Sequence, residues 1–248
     1  RSNLSSQVFA GMATDAETIV DHPYAARNAE GDTGITKAGV EATAYDLASE
    51  DHRDLRSRLW LFRGPGAAEK SLRLIVLGPK EWTEYEGLIN AFEGEGDPAS
   101  HPRFADLKRR TDGGEYVALF APTGVGRSAW PKSKEITIRR RLALLGLTLD
   151  GLRVGDVRNA LRCLGKPDVR PLQLHASGEM APVALWAAFF QGGVQQVVLS
   201  DPPATVQDGP AFLNLDRILD MPQAVALLYP ADVRIEGSPA AYWSWPQA

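Results

Sequence analysis

Residues 172–185 read Leu-Gln-Leu-His-Ala-Ser-Gly-Glu-Met-Ala-Pro-Val-Ala-Leu. Residues 172–174 begin as a short strand, and residues 181–190 form a strongly apolar helix closed by Gly192-Gly193. Between them lie the small residues Ala176, Ser177 and Gly178, followed by Glu179. A strand that passes through small residues straight into a helix predicts an elbow, a tight turn that presents one side chain above a sheet.

Outward from that stretch, strand-like and helix-like segments alternate. Downstream, residues 194–199 form a strand ending at Asp201-Pro202-Pro203. Residues 214–226 read as a helix interrupted near Pro222, and 233–236 as a last strand. Upstream, residues 136–164 carry apolar residues at helical spacing, with Gly146 and Gly151 as candidate breaks. Before them come a strand at 116–120, a basic helix end at 104–110 and a helix-like stretch at 82–92. Two apolar runs at 58–62 and 72–77 flank Gly64-Pro65-Gly66 and predict an antiparallel hairpin at the N-terminal edge. Alternation of this kind, with nearly continuous apolar strands, predicts an α/β fold whose mostly parallel sheet has helices on both faces. Residues 1–53 show no sustained period and are expected to form an irregular arm packed on the domain at 54–248, with Tyr24 or Tyr45 as its anchor.

The chain has 248 residues, 44% of them hydrophobic and 23% charged, enough to bury one large core. Its net charge of −4 lacks the basic excess that phosphate neutralisation needs, which argues against nucleic acid as a partner. No apolar run is long enough to insert in a membrane. A single cysteine, Cys163 at the end of an apolar helix, excludes an internal disulfide and a Cys-based zinc cluster, and no cofactor or metal is expected. The chain opens Arg1-Ser2-Asn3 without Met and reads as a processed or excised piece, and no targeting segment can be read from it.

Four segments together resemble the α/β-hydrolase superfamily, in particular its acetyl xylan esterase and dienelactone hydrolase branch. They are YVALFAPTGVGRSAW at 116–130, similar to the branch's APDPRGVGES segment, and the helical stretch RRRLALLGLTLDGLRVGDVRNALRCL. The elbow follows, and then LNLDRILDMPQAVALLYPADVRIEG, which is similar to the stretch entering the family's seventh strand. The chain also resembles degenerate hydrolase-like domains of large planctomycete proteins. The resemblance runs from about Asp54 to the C-terminus and implies an esterase ancestry, with a secreted or periplasmic setting favoured.

The family's elbow reads Gly-x-Ser-x-Gly. Matching the following helix residue by residue puts Gly178 at the serine position; sliding by one puts Ser177 there, flanked by the bulky His175 and Glu179. The order of the triad requires a histidine after the acid, yet the histidines are His22, His52, His101 and His175. His175 precedes Ser177 by two residues on one strand, too close for triad geometry. The resemblance implies an acid near Glu236-Gly237-Ser238, with Asp201 as a relocated candidate, and an oxyanion site near Gly78, Pro79 and Lys80, although Pro79 has no N–H to give. These readings predict a domain without a working triad that serves as a binding, structural or interaction module. Its partner would be carbohydrate, another domain or a second copy. The alternative is an active carboxylic-ester hydrolase with an atypical triad drawn from Ser177, Asp201 and His175; a chain that stops short of its histidine is the third.

Plainer roles compete for each residue. Ser177 can cap the following helix, and Glu179 suits the positive end of that helix. A Glu179–Asp201 carboxylate pair would need close approach. Gly124-Val125-Gly126 lacks the spacing of a phosphate loop and reads as a turn, and Arg139-Arg140-Arg141 as a solvated helix face. Trp82, Tyr85 and Trp243 are candidate ligand contacts, because amphipathic rings suit flat sugar faces.

Overall fold

The computed structural model describes residues 18–21, 34–49, 52–165 and 171–237. Nine strands form one sheet: β1 (Thr18–Asp21), β2 (Ile35–Lys37), β3 (Val40–Ser49), β4 (His52–Arg63), β5 (Ser71–Val76), β6 (Glu115–Ala121), β7 (Leu172–Ser177), β8 (Gln196–Ser200) and β9 (Asp232–Glu236). Their order is β1-β3-β4-β6-β5-β7-β8-β9, with β2 paired to β3. The last five strands of that order run parallel, and β1 to β4 add an antiparallel edge. Six α-helices accompany them among the described residues: α1 (Pro79–Glu93), α2 (Phe104–Asp112), α3 (Lys132–Leu144), α4 (Leu149–Cys163), α5 (Met180–Gln191) and α6 (Met221–Ala226).

Successive strand residues point to opposite faces, so neighbouring positions show which helices cover which side. Phe62 stacks edge-on against Phe92 of α1, which meets Phe104 of α2, and Trp60 meets Trp82 of α1. Tyr45 lies opposite Leu59, on the other face, where α4 packs against β3. The elbow helix α5 carries ten buried residues, among them Trp186, and leans on α4.

The antiparallel hairpin at the N-terminal edge is present, but it is made by β3 and β4 rather than by the two apolar runs predicted to pair. β4 ends at Gly64-Pro65-Gly66, and β6 inserts between it and β5, which is parallel to β6 and to β7. Residues 35–37 and 40–49, expected as irregular arm, are strands, with Tyr45 partly buried against the core. Tyr24 lies outside the described residues. The helical stretch at 136–164 divides at Gly146, whose φ is +73°, whereas Gly151 sits inside α4 and donates its N–H to the Thr148 cap. Pro222 opens α6 rather than interrupting a helix.

Gly124-Val125-Gly126 is a turn, as expected. Gly126 has a φ of +67°, and a Cβ there would stand 2.8 Å from the Trp82 ring. Gly126→Ala is therefore expected to cost about 2 kcal/mol in urea unfolding, from a left-handed side chain and displacement of a packed indole. A loss below about 0.5 kcal/mol would show that the loop gives way instead.

Candidate functional site

β5 and β7 lie side by side at the centre of the sheet, with Val76 opposite Ala176, so the turns that follow them open at the same edge. Sites in parallel α/β sheets form at such carboxyl ends. After β5, Gly78 precedes α1, Pro79 occupies the first turn, and Glu81 turns its carboxylate back to accept the Gly78 N–H at 3.1 Å. After β7, the Ser177 hydroxyl donates a short hydrogen bond to the other oxygen of Glu81. One carboxylate thus ties together the two turns where the sequence placed a nucleophile and an oxyanion donor.

The apex of the elbow is Gly178. Its φ is +50°, its N–H donates to the Ser200 carbonyl at 2.9 Å, and its carbonyl accepts from Ala181. A Cβ at this position would meet nothing within 4 Å. Ser177 belongs to the strand itself, and Glu179 precedes α5 with no side-chain cap bond. The expected capping role of Ser177 is therefore replaced by its bond to Glu81.

His175 is separated from Ser177 by one strand residue. Its Nε2 is buried without a hydrogen-bond partner. Burial first, and then the Arg73 guanidinium, pull its pKa down to about 4. His101 accepts the Arg103 N–H through Nδ1 and faces Gly87 of α1. The bond partner of the Ser177 hydroxyl is the carboxylate of Glu81, not an imidazole.

Above Gly178 lies a cavity of about 590 Å³ lined by Glu179, Asp201, Asp208, Arg139 and Asp150, with Pro203 and residues 209–211. Asp201 carries a φ of +45°, donates its N–H to the Glu236 carbonyl, and stands against Gly237. Glu179 and Asp201 line the same cavity without a bond between them, and the described residues hold no group of three or more His, Cys, Asp or Glu arranged for a metal. Beneath the cavity, Asp150 accepts from Arg139 at 2.7 Å, from Arg153 at 3.0 Å and from the Ala211 N–H at 3.0 Å. Next to it Asp156 accepts the Thr123 N–H at 2.8 Å, and burial pushes its carboxyl up to about 6 against the pull of Thr123 and Arg153.

The structure does not bring Trp82 or Tyr85 to this cavity. Trp82 packs on Trp60 and under Gly126, and Tyr85 lies beneath the Arg103 guanidinium. Trp243 and Ser238 lie outside the described residues. Arg139 is not a solvated charge, being spent on Glu135 and Asp150. Cys163 is partly buried, and burial pushes its thiol up. Sequence reading missed Glu81, although a glutamate three residues after the residue preceding a helix is a recognisable spacing. It also missed Asp150 and Arg153, whose i,i+3 separation puts them on one helix face.

No family model matches the sequence, and no curated protein matches it either. Solved structures do match. A Bacteroides fragilis protein assigned as an acetyl xylan esterase aligns at a TM-score of 0.63 and 12% identity, over 95% of this chain and 69% of its own. A glucuronoyl esterase from Solibacter usitatus aligns at 0.56 and 10% identity, over 89% and 67%. The fold is α/β-hydrolase-like.

Proposed function

We propose that this chain is an esterase-derived domain whose elbow no longer carries a Ser-His-acid triad and which acts as a binding, structural or interaction module. The observation that carries the reading is the Gly178 apex: a left-handed backbone with open space above it and no side chain to fill it. Around it, the Glu81 carboxylate already holds both the Ser177 hydroxyl and the Gly78 N–H. A negative carboxylate at that N–H opposes a second anion there, so an oxyanion would have to displace it. Carbohydrate, another domain or a second copy are the partner classes that this reading implies.

The second reading, a carboxylic-ester hydrolase working through Ser177, has one observation in its favour, the hydrogen bond from that hydroxyl to a carboxylate. Without an imidazole base the hydroxyl stays a weak nucleophile near its free pKa. A fluorophosphonate probe and p-nitrophenyl acetate separate the two. The expected result is no covalent adduct at Ser177 and identical ester turnover for the parent chain and Ser177→Ala. Stoichiometric labelling that disappears in Ser177→Ala would establish the esterase and end the module reading.

A further inference from the structure

α3 is the one α-helix among the described residues with no buried residue. Ile136 is 45% exposed, and at the end of the helix Leu144 and the following Leu145 are 87% and 74% exposed. Ile136, Arg140 and Leu144 fall at four-residue intervals, so they line one outward ridge. Its five cations against one carboxylate give the helix +4. With the whole chain at −4, the remaining residues carry −8. Arg139 is turned inward, while Lys132, Lys134, Arg140 and Arg141 are exposed and form no ion pair with a described carboxylate.

The opposite charge lies next door. Arg139 of α3 lines the cavity above Gly178, whose rim presents the exposed carboxylates of Glu179, Asp201 and Asp208. The loop beyond that rim exposes Leu213. A cationic, leucine-tipped ridge and an acidic rim therefore share an edge on one molecule. Two such surfaces related by a two-fold axis satisfy each other twice, ridge to rim and rim to ridge, which is the requirement of an isologous dimer. Ridge against ridge would oppose like charges. The helix alone is too small for a stable interface: it is about 20 Å long and 10 Å wide, whereas a standard interface buries about 800 Å² on each partner. The rim has to take part.

We propose that the α3 ridge and the adjoining acidic rim form a two-fold interface with a second copy of this chain, closing the cavity above Gly178. The inference names a partner for the interaction reading. It is tested separately from it, since mass reports the dimer and probe labelling reports the esterase.

Light scattering after size exclusion, with the 248-residue chain between about 5 and 200 µM, is expected to show a dimer that weakens as salt rises from about 0.05 to 0.5 M. Leu144→Glu with Leu145→Glu should weaken association by about 30-fold or more. The decisive arm exchanges charge. Arg140→Glu/Arg141→Glu and Glu179→Lys/Asp208→Lys should each be monomeric alone and should form a heterodimer when mixed, because mixing restores both contacts. Asp201 is left unchanged because of its left-handed backbone, and circular dichroism checks that each variant is folded. Three results would overturn the proposal. They are a parent chain monomeric throughout the range, variants that dimerise alone or fail to pair when mixed, and a monomer whose α3 ridge binds phosphatidylserine vesicles instead.

Discussion

Asp150→Ala is expected to cost about 3–5 kcal/mol of unfolding free energy, because it removes one partner of a buried ion pair and leaves the other charge behind. Asp150 and Arg153 are each only 3% exposed at the side chain. Arg153 would keep its bond from Nε to the Thr123 carbonyl but lose the carboxylate that it is bonded to, with Asp156 left to act on it only through space. The same carboxylate accepts from Arg139 of α3 and from the Ala211 N–H, so its loss also releases the loop over the cavity. Urea unfolding reads the energy, and faster proteolysis at residues 205–211 reads the loop. Asp150→Asn, which keeps an acceptor for Ala211 but not the charge, should keep the loop protected while losing most of the energy. A cost below about 1 kcal/mol for Asp150→Ala would show that water reaches Arg153 and that the network is not buried in solution.

The second large effect is a pair of opposed pH dependences. Asp156 has its folded pKa raised to about 6 from an ordinary 3.8, so the folded state binds its proton more tightly than the unfolded state does. Its contribution is most favourable at low pH and is lost as pH rises through about 4 to 6, a swing of about 3 kcal/mol. His175 has its folded pKa lowered to about 4 from 6.5, with Arg73, Glu115, Arg110 and Arg234 as the charges that act on it. Its contribution is complete above about 6.5 and is lost as pH falls towards 4. Allowing for its partial exposure, that swing is about 2 kcal/mol. In the parent chain the two slopes oppose each other over the same interval. Asp156→Asn removes the first, so its stability relative to the parent should climb from pH 4 to 7. His175→Gln removes the second, so its relative stability should fall over that range. Equilibrium unfolding at half-unit pH steps checks both, and slopes of the same sign would sink the assignment.

Much of the architecture was legible because its centre is built from bulky residues. Leu72, Leu74 and Val76 of β5, the 116–120 run of β6 and the apolar α5 carry an unambiguous pattern, and each forms the element that it predicts. β3 was illegible for the opposite reason. Its buried positions include Ala42, Thr43 and Ala44, whose small side chains give almost no hydrophobic signal although they pack inside. The pairing of β5 was misread because proximity in sequence favours a hairpin, whereas β6 reaches its place between β4 and β5 only by a crossover through α1 and α2. At the candidate site, local pattern located the elbow and left two registers, one with Gly178 at the serine position and one with Ser177; the bend itself falls at Gly178. It could not show that Glu81, 96 residues from Ser177, would take the serine's hydroxyl.

Gly178 keeps its bend with nothing more than a hydrogen atom for a side chain. The bend is held by main-chain bonds to Ser200 and Ala181 and by the strand that leads into it, and none of these involves a hydroxyl. Shape and reactivity are therefore separable here: the turn needs no reactive atom to hold its course, and likeness in three dimensions is no guide to chemistry.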